Sequence, residues 1–220
     1  LKFDILIPTY KPLEKVQKLI DEIEYYTPEK HRLIVSCQPL PASKNRNYCL
    51  SYADSEIMVM MDDDIINFYP GWLTNLIYPM MNDKNIIITS ARLLDKNKNA
   101  NNNMGMVKDK TDYAEIREAY NIDGVSYKRV TPAAIAFRKT DIKFDEVFLG
   151  SGYEDTAWMN DMSKEYNGMT FVVNNCCQLI HINNRSGQDD EKIWQHNHDH
   201  YCKKYEWDEV AKNQKWWKKR

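Results

Sequence analysis

Apolar and polar positions alternate between two kinds of pattern over the first third of the chain. Phe3-Asp4-Ile5-Leu6-Ile7 is a short apolar run closed by Pro8, the pattern of a buried strand that ends in a loop. Leu13, Val16, Leu19, Ile20 and Ile23 recur at helical spacing, which predicts an amphipathic helix over 13–26. Leu33-Ile34-Val35 predicts a second buried strand, stopped by Gln38-Pro39-Leu40-Pro41. Ser43 is placed to cap a helix running to about Ala53, and Ile57-Met58-Val59-Met60-Met61 predicts a third strand. Strand, helix, strand, helix, strand is the order of a parallel α/β sheet with right-handed crossovers. Such sheets bind their ligands beyond the carboxyl ends of the strands.

Further along, Pro70-Gly71 opens a predicted helix over 72–81, 85–90 reads as a strand, and 130–137 and 170–173 as two more, with a helix over 155–166 between them. Residues 95–110 are polar and rich in asparagine and lysine, which predicts a mobile lid. The expected organisation is one domain over 1–207, in two halves (1–94 and 111–185) with the lid at 95–110 between them. A basic, aromatic tail follows at 208–220.

The 220 residues include 30 basic and 32 acidic side chains, so no overall field draws the protein to nucleic acid or membrane. That balance is an average: residues 201–220 hold seven basic and three acidic side chains, net +4, leaving −6 on the rest. No apolar run approaches the ~20 residues of a membrane span, and the start lacks a leader's charged and apolar regions. Five cysteines are too few and odd in number for a disulfide framework. These features exclude membrane-spanning and disulfide-stapled classes and predict a cytoplasmic location.

The sharpest chemistry lies at Asp62-Asp63-Asp64, three carboxylates at the end of five apolar residues. Adjacent like charges repel, and a hard divalent cation such as Mg²⁺ or Mn²⁺ offsets them through oxygen ligands shared with a phosphate. In extended chain Asp62 and Asp64 point to one side, so both can face one metal–phosphate complex; a solvated acidic turn capping the next helix is the plain alternative. Gly152-Tyr153-Glu154-Asp155 stands at a helix start, where acidic residues also serve as dipole partners. His181 ends the apolar segment Gln178-Leu179-Ile180, a place where packed core histidines are common.

Pro8-Thr9-Tyr10, Ser43-Lys44-Asn45-Arg46-Asn47, Met61-Asp62-Asp63-Asp64, Gly152-Tyr153-Glu154-Asp155 and His181, in that order, resemble the GT-A nucleotide-sugar glycosyltransferases of the family 2 type. Asn197, Tyr201, Lys204 and Trp207 resemble that family's terminal helix. The resemblance implies a Rossmann-like GT-A fold, a mostly parallel central sheet flanked by helices in a single α/β domain. It implies a diphosphate-sugar donor, usually a UDP-sugar, with Mn²⁺ or Mg²⁺, and an inverting transfer to an acceptor hydroxyl. Pro8, Thr9 and Tyr10 would line the base pocket, and Arg46 would approach the donor. Asp62 would reach the ribose side and the metal, Asp64 and His181 would ligate the metal, and Asp63 would stand between in the motif's variable place. Asp155 would be the catalytic base and Glu154 would hold a donor or acceptor hydroxyl. Many members carry an acid after the second strand to read uracil; this chain has Ser36-Cys37-Gln38.

Two other readings compete. A metal-dependent nucleotidyltransferase also needs carboxylates at strand ends, but no glycine-rich phosphate loop follows the first strand. A carbohydrate- or nucleic-acid-binding module would keep the fold without turnover. The acceptor stays open among a glycan, a lipid-linked glycan, a protein side chain and a modified nucleobase. Tyr153 and Trp158 are candidates for its side of the site, and Trp216-Trp217-Lys218-Lys219-Arg220 for nucleic-acid or peripheral membrane contact. His196, His198, His200 and Cys202 suggest zinc, but on a helix His198 points away from His196 and His200, and a solvated helix face is the better reading.

Overall fold

The computed structural model describes residues 2–99, 113–116, 118–122, 125–182 and 190–206. Residues 100–110 of the predicted lid, Trp207 and the 208–220 tail lie outside the described residues.

Successive side chains of the first three strands fall on two buried faces, and each face recruits its own helices. β1 (Phe3–Thr9), β2 (His31–Cys37) and β3 (Ile57–Met61) are joined by α1 (Leu13–Tyr26) and α2 (Ala42–Tyr52). Ile5, Ile7, Val59 and Met61 pack with Leu19 and Ile23 of α1 and with Trp72, Leu73 and Leu76. Leu6, Met58 and Met60 pack on the opposite face with Cys49 and Leu50 of α2 and with Trp158, Met159 and Met162. Each large apolar side chain buried in this way contributes about 1.5–3 kcal/mol, more than the helix propensity of any one residue can oppose. The two apolar layers therefore hold the frame.

The chain continues with β4 (Ile65–Ile66), α3 (Trp72–Asn82), β5 (Ile86–Leu94), β6 (Tyr113–Ile116), β7 (Tyr120–Ile122), β8 (Val125–Tyr127), β9 (Ala134–Arg138), α4 (Glu154–Glu165), β10 (Thr170–His181) and α5 (Glu191–Lys204). One sheet has the order β2-β1-β3-β9-β5-β10-β4, with β6 also paired to β10, and β7–β8 form a separate hairpin. β1, β2 and β3 are mutually parallel in the order 2-1-3, and β5 is parallel to β10. β9 runs antiparallel between β3 and β5, and β4 and β6 are antiparallel to β10, so a mostly parallel sheet carries three reversed strands. No helix among the described residues is long and apolar enough to cross a membrane, and all five cysteines are free thiols.

Several local expectations are corrected. β1 continues through Pro8 to Thr9: its pairing with β2 runs on to Cys37, while its β3 ladder ends at Leu6, so a residue without an N–H interrupts nothing on that side. Ser43 does not cap α2. Pro41 occupies that position, and the buried Ser43 hydroxyl donates to the Phe148 carbonyl at 3.4 Å. β10 extends eight residues beyond the predicted 170–173, with an irregularity between Asn174 and Gln178 that re-aims the strand. Asn174 there donates to the Asn75 carbonyl, which lacks its usual helical donor because Pro79 stands one turn on.

Candidate active site

The carboxyl ends of β1, β3 and β10, the start of β9, and the starts of α2 and α4 converge on one cleft of about 440 Å³. Its lining includes Pro8, Thr9, Tyr10, Arg46, Asp62, Asp63, Asp64, Glu154, Asp155 and His181, the residues expected to meet donor, cation or reacting hydroxyl, but neither Tyr153 nor Trp158. It lies where strand order reverses around β1, as the doubly wound arrangement requires.

The side-chain alternation of β3 runs one step past the strand and sorts the three carboxylates. Met61 faces the α1 side, so Asp62 turns to the α2 and α4 side, where Arg46 Nη2 lies 3.5 Å from its Oδ1. Asp63 turns back toward β1: it accepts a hydrogen bond from the Thr9 hydroxyl, and Lys11 Nζ lies 2.6 Å from its Oδ1. Burial opposes the Lys11 charge, but Asp63 and the nearby Asp64 outweigh it and hold the ammonium above its ordinary range. The variable place of the motif is thus a tie between β1 and the end of β3.

His181 is brought to Asp64 by the backbone. β10 pairs with β4 so that His181 stands opposite Ile65, and Ile182 N–H donates to the Asp64 carbonyl at 3.1 Å. His181 Nε2 consequently lies 3.1 Å from Asp64 Oδ1 and 3.9 Å from Asp62 Oδ2. One ligand atom from each of the three residues falls within 4.8 Å of the others. Burial works to lower the His181 pKa, but Asp64 and then Asp62 raise it above its ordinary value. Asp62 is raised by burial and by Asp64 and Asp155, against the opposing pull of Arg46 and His181. A site where burial opposes the charge of Asp62 suits a cation, and two oxygens with one imidazole nitrogen are an acceptable set for Mn²⁺, and for Mg²⁺ through the carboxylates.

Glu154 and Asp155, adjacent in sequence, do different things. Glu154 is only 3% exposed, and both its oxygens are engaged: Arg46 Nη1 at 2.6 Å on Oε1 and the Gly152 N–H on Oε2. Two of the roughly four acceptor positions of this carboxylate are thus taken by the protein. Burial raises its pKa and Asp155 adds to that, while Arg46 pulls the other way. Asp155 accepts the Thr156 N–H at 2.6 Å and the Thr156 hydroxyl at 3.2 Å, both on Oδ1. Its Oδ2 accepts no protein hydrogen bond among the described residues.

Arg46 is 8% exposed, with its Cζ 5.3 Å from the Phe144 ring centroid. Burial opposes its charge, yet Glu154, Asp62 and Asp155 together keep it above its ordinary value.

Two asparagines of the sequence motifs, Asn45 and Asn197, gain a role only in the fold. Asn45 accepts the Ser36 hydroxyl at 2.7 Å and donates to the carbonyls of Gln38 (2.8 Å), Leu40 (3.2 Å) and Thr9 (3.3 Å), tying the ends of β1 and β2 to α2. Asn197 of α5 is fully buried; it accepts the Leu149 N–H and donates to the carbonyls of Leu149 and Gly152, which fixes the loop before α4. An asparagine inside a motif, or one at helical spacing from Tyr201, was the available clue. Tyr201 receives Asn160 Nδ2 at 2.7 Å, and Lys204 bridges Asp145 and Asp161, so α5 clamps α4.

Trp158 is core, stacked on Phe144 and fully buried. Tyr153 packs against Trp194, His198 and Tyr201. His196 approaches the Val147 carbonyl and His200 pairs with Asp145, so each ring already has a protein partner. Among the described residues, Asp62, Asp64 and His181 are the one group of three whose ligand atoms lie close enough together that they could share a cation.

The sequence profile described as Glycosyl transferase family 2 matches residues 9–143, more than half of the chain. Among solved structures, the crystal structure of GalNAc-T7 with UDP, GalNAc and Mn²⁺ is similar, with a TM-score of 0.62 and 10% identity. The match covers 92% of this chain, which spans 47% of that one, and at this identity it bears on the fold. No curated protein matches the chain.

Proposed function

Since the chain belongs to glycosyl transferase family 2, we propose that it moves a sugar from a UDP-sugar to an acceptor hydroxyl, with inversion and with Mn²⁺ or Mg²⁺. One observation carries the reading: three side chains that could share a cation line the same cleft as Asp155, whose Oδ2 accepts no protein hydrogen bond among the described residues. The GT-A likeness to a protein crystallised with UDP, GalNAc and Mn²⁺ supports the nucleotide and cation classes.

Asp62, Asp64 and His181 would hold the cation, which when bound supplies Lewis-acid neutralisation of the departing diphosphate. Asp155 takes the proton from the attacking hydroxyl; Thr156 holds its Oδ1, so Oδ2 is aimed before substrate arrives. Pro8, Thr9, Tyr10 and Leu40 form a wall for the nucleobase. Ser36, near the end of β2, is buried and bonded to Asn45, so it serves the frame, and base reading falls to this wall.

The test is release of nucleotide from a panel of UDP- and GDP-sugars with Mn²⁺, with Mg²⁺ and with EDTA. Cation-dependent release of UDP is the expected result. Release that ignores EDTA, or none with any donor, would overturn the proposal.

A further inference from the structure

The geometry points to Arg46 and Glu154 as a buried positioning pair that aims Asp155, not as ligands of the donor or acceptor. What Asp155 does rests on the function proposed above; how it is held rests on contacts alone.

Arg46 reaches the cleft wall from α2, but its guanidinium is already divided among protein partners. One nitrogen meets Glu154 of α4 at 2.6 Å, another lies 3.5 Å from Asp62 beyond β3, and the Phe144 ring covers one face. A planar fork that joins carboxylates from two different elements is a geometric link, which a point charge cannot reproduce. Glu154 passes the link on. Its second oxygen takes the N–H of Gly152, and Gly152 (φ 116°) and Tyr153 (φ 70°) form the left-handed turn that starts α4. Tyr153 has a Cβ and rarely adopts this conformation, so the turn persists because surrounding contacts impose it. The Glu154 carboxylate braces it through the Gly152 N–H, while the buried Asn197 holds the Gly152 carbonyl. The next side chain, rotated about 100° around the helix, is Asp155. Asp62, Arg46, Glu154 and the Gly152–Tyr153 turn thus form one chain of contacts from the cation group to the carboxylate that meets the acceptor.

The experiment compares wild type with Arg46→Lys, Arg46→Met and the double variant Arg46→Met/Glu154→Met. It reads kcat and donor KM for UDP-sugar turnover, the Kd of UDP in Mn²⁺, thermal midpoints, and backbone hydrogen exchange over 151–157. The expected kcat loss is on the order of 100-fold in every variant, the scale of a misplacement of about 1 Å. UDP affinity should stay within about threefold of wild type, a change worth less than one tenfold step in Kd. Exchange over 151–157 should rise about tenfold while the β1–β3 core stays protected, as expected of a locally loosened unit. The double variant replaces a buried pair with apolar groups, so it keeps the fold while kcat stays low. A rise in UDP Kd with kcat unchanged would make Arg46 a donor ligand and overturn the proposal. Full recovery of kcat in Arg46→Lys or in the double variant, or unchanged exchange over 151–157, would overturn it as well. If wild type itself turns over no nucleotide sugar, the proposed function fails, and the exchange measurement still decides the pair.

Discussion

Asp64 and His181 come within 3.1 Å because the backbone stitches their segments together, not because their side chains search for each other. His181 stands opposite Ile65 in the β10–β4 ladder, and the Ile182 N–H binds the carbonyl of Asp64 itself. For the proposed cation site this means an imidazole already held beside a carboxylate, which lowers the ordering cost of binding.

That arrangement predicts that Asp64→Ala and His181→Ala each weaken Mn²⁺ binding on the order of 100-fold, at the upper end of what even supporting partners of a metal site contribute. Titration calorimetry of the protein with Mn²⁺ in the presence of UDP measures it. Wild-type affinity in both variants would remove these residues from the cation site.

Asp155→Asn preserves size and the contacts with Thr156 but removes the proton acceptor. The expected kcat loss is about 10²–10⁴-fold, the usual range for a positioned base, with UDP binding in Mn²⁺ unchanged. Steady-state transfer kinetics alongside UDP titration separate the two effects; an active Asn variant would end the assignment of the base.

Asn45→Ala leaves the Ser36 hydroxyl and three carbonyls short of a partner at the junction of β1, β2 and α2. Destabilisation of about 1–3 kcal/mol is expected from buried groups left unpaired. Urea unfolding should show it as a lower midpoint with an unchanged slope. No shift in midpoint would mean that water takes over all of these bonds.

Asp145 sets an acid limit on the contact between α5 and the loop before α4. Burial works to raise its pKa, but His200, the Val147 N–H and Lys204 outweigh it and hold it at about 2, below its ordinary 3.8. Because the folded value is the lower one, the ionised carboxylate stabilises the fold above about pH 4, and that contribution disappears as pH falls toward 2. Asp4, fully buried and bonded to Arg32 and to the Asp54 and Ser55 N–H groups, is also held below the usual carboxylate range and acts in the same direction. Unfolding free energies of wild type and Asp145→Asn should differ at pH 6 and converge as pH drops below about 4. A difference that stays constant down to pH 3 would contradict the assignment.

Much of the frame was readable locally. Apolar runs of five residues or fewer, each closed by polar or proline residues, placed β1, β2 and β3, and the spacing of Leu13 to Ile23 placed α1 with both its ends. These signals survive because a strand buried on both faces and a helix buried on one carry their environment in their own residue order. The cleft was readable for the same reason: parallel strands joined by helices put their carboxyl ends together, and the motifs sit at those ends. Strand neighbours were not. Nothing in Ala134–Arg138 announces that it runs backwards between β3 and β5, since an apolar strand looks alike in either direction.

Within the site, residue order determined which side chains are present, and the tertiary structure decided what each one does. Three adjacent aspartates are chemically equivalent in sequence; alternation at the end of β3 sends Asp63 to Lys11 and Asp62 to Arg46. Glu154 and Asp155 are equally acidic; a left-handed turn at Gly152–Tyr153 buries the first against Arg46 and leaves an oxygen of the second without a protein hydrogen bond among the described residues. Nothing in the residue order pairs Ser43 with Phe148 or Arg46 with Glu154, some 100 positions later, yet in the fold these accept their hydrogen bonds. Burial, hydrogen-bond partners and charge balance belong to groups brought together from distant parts of the chain, and only the packed fold supplies them.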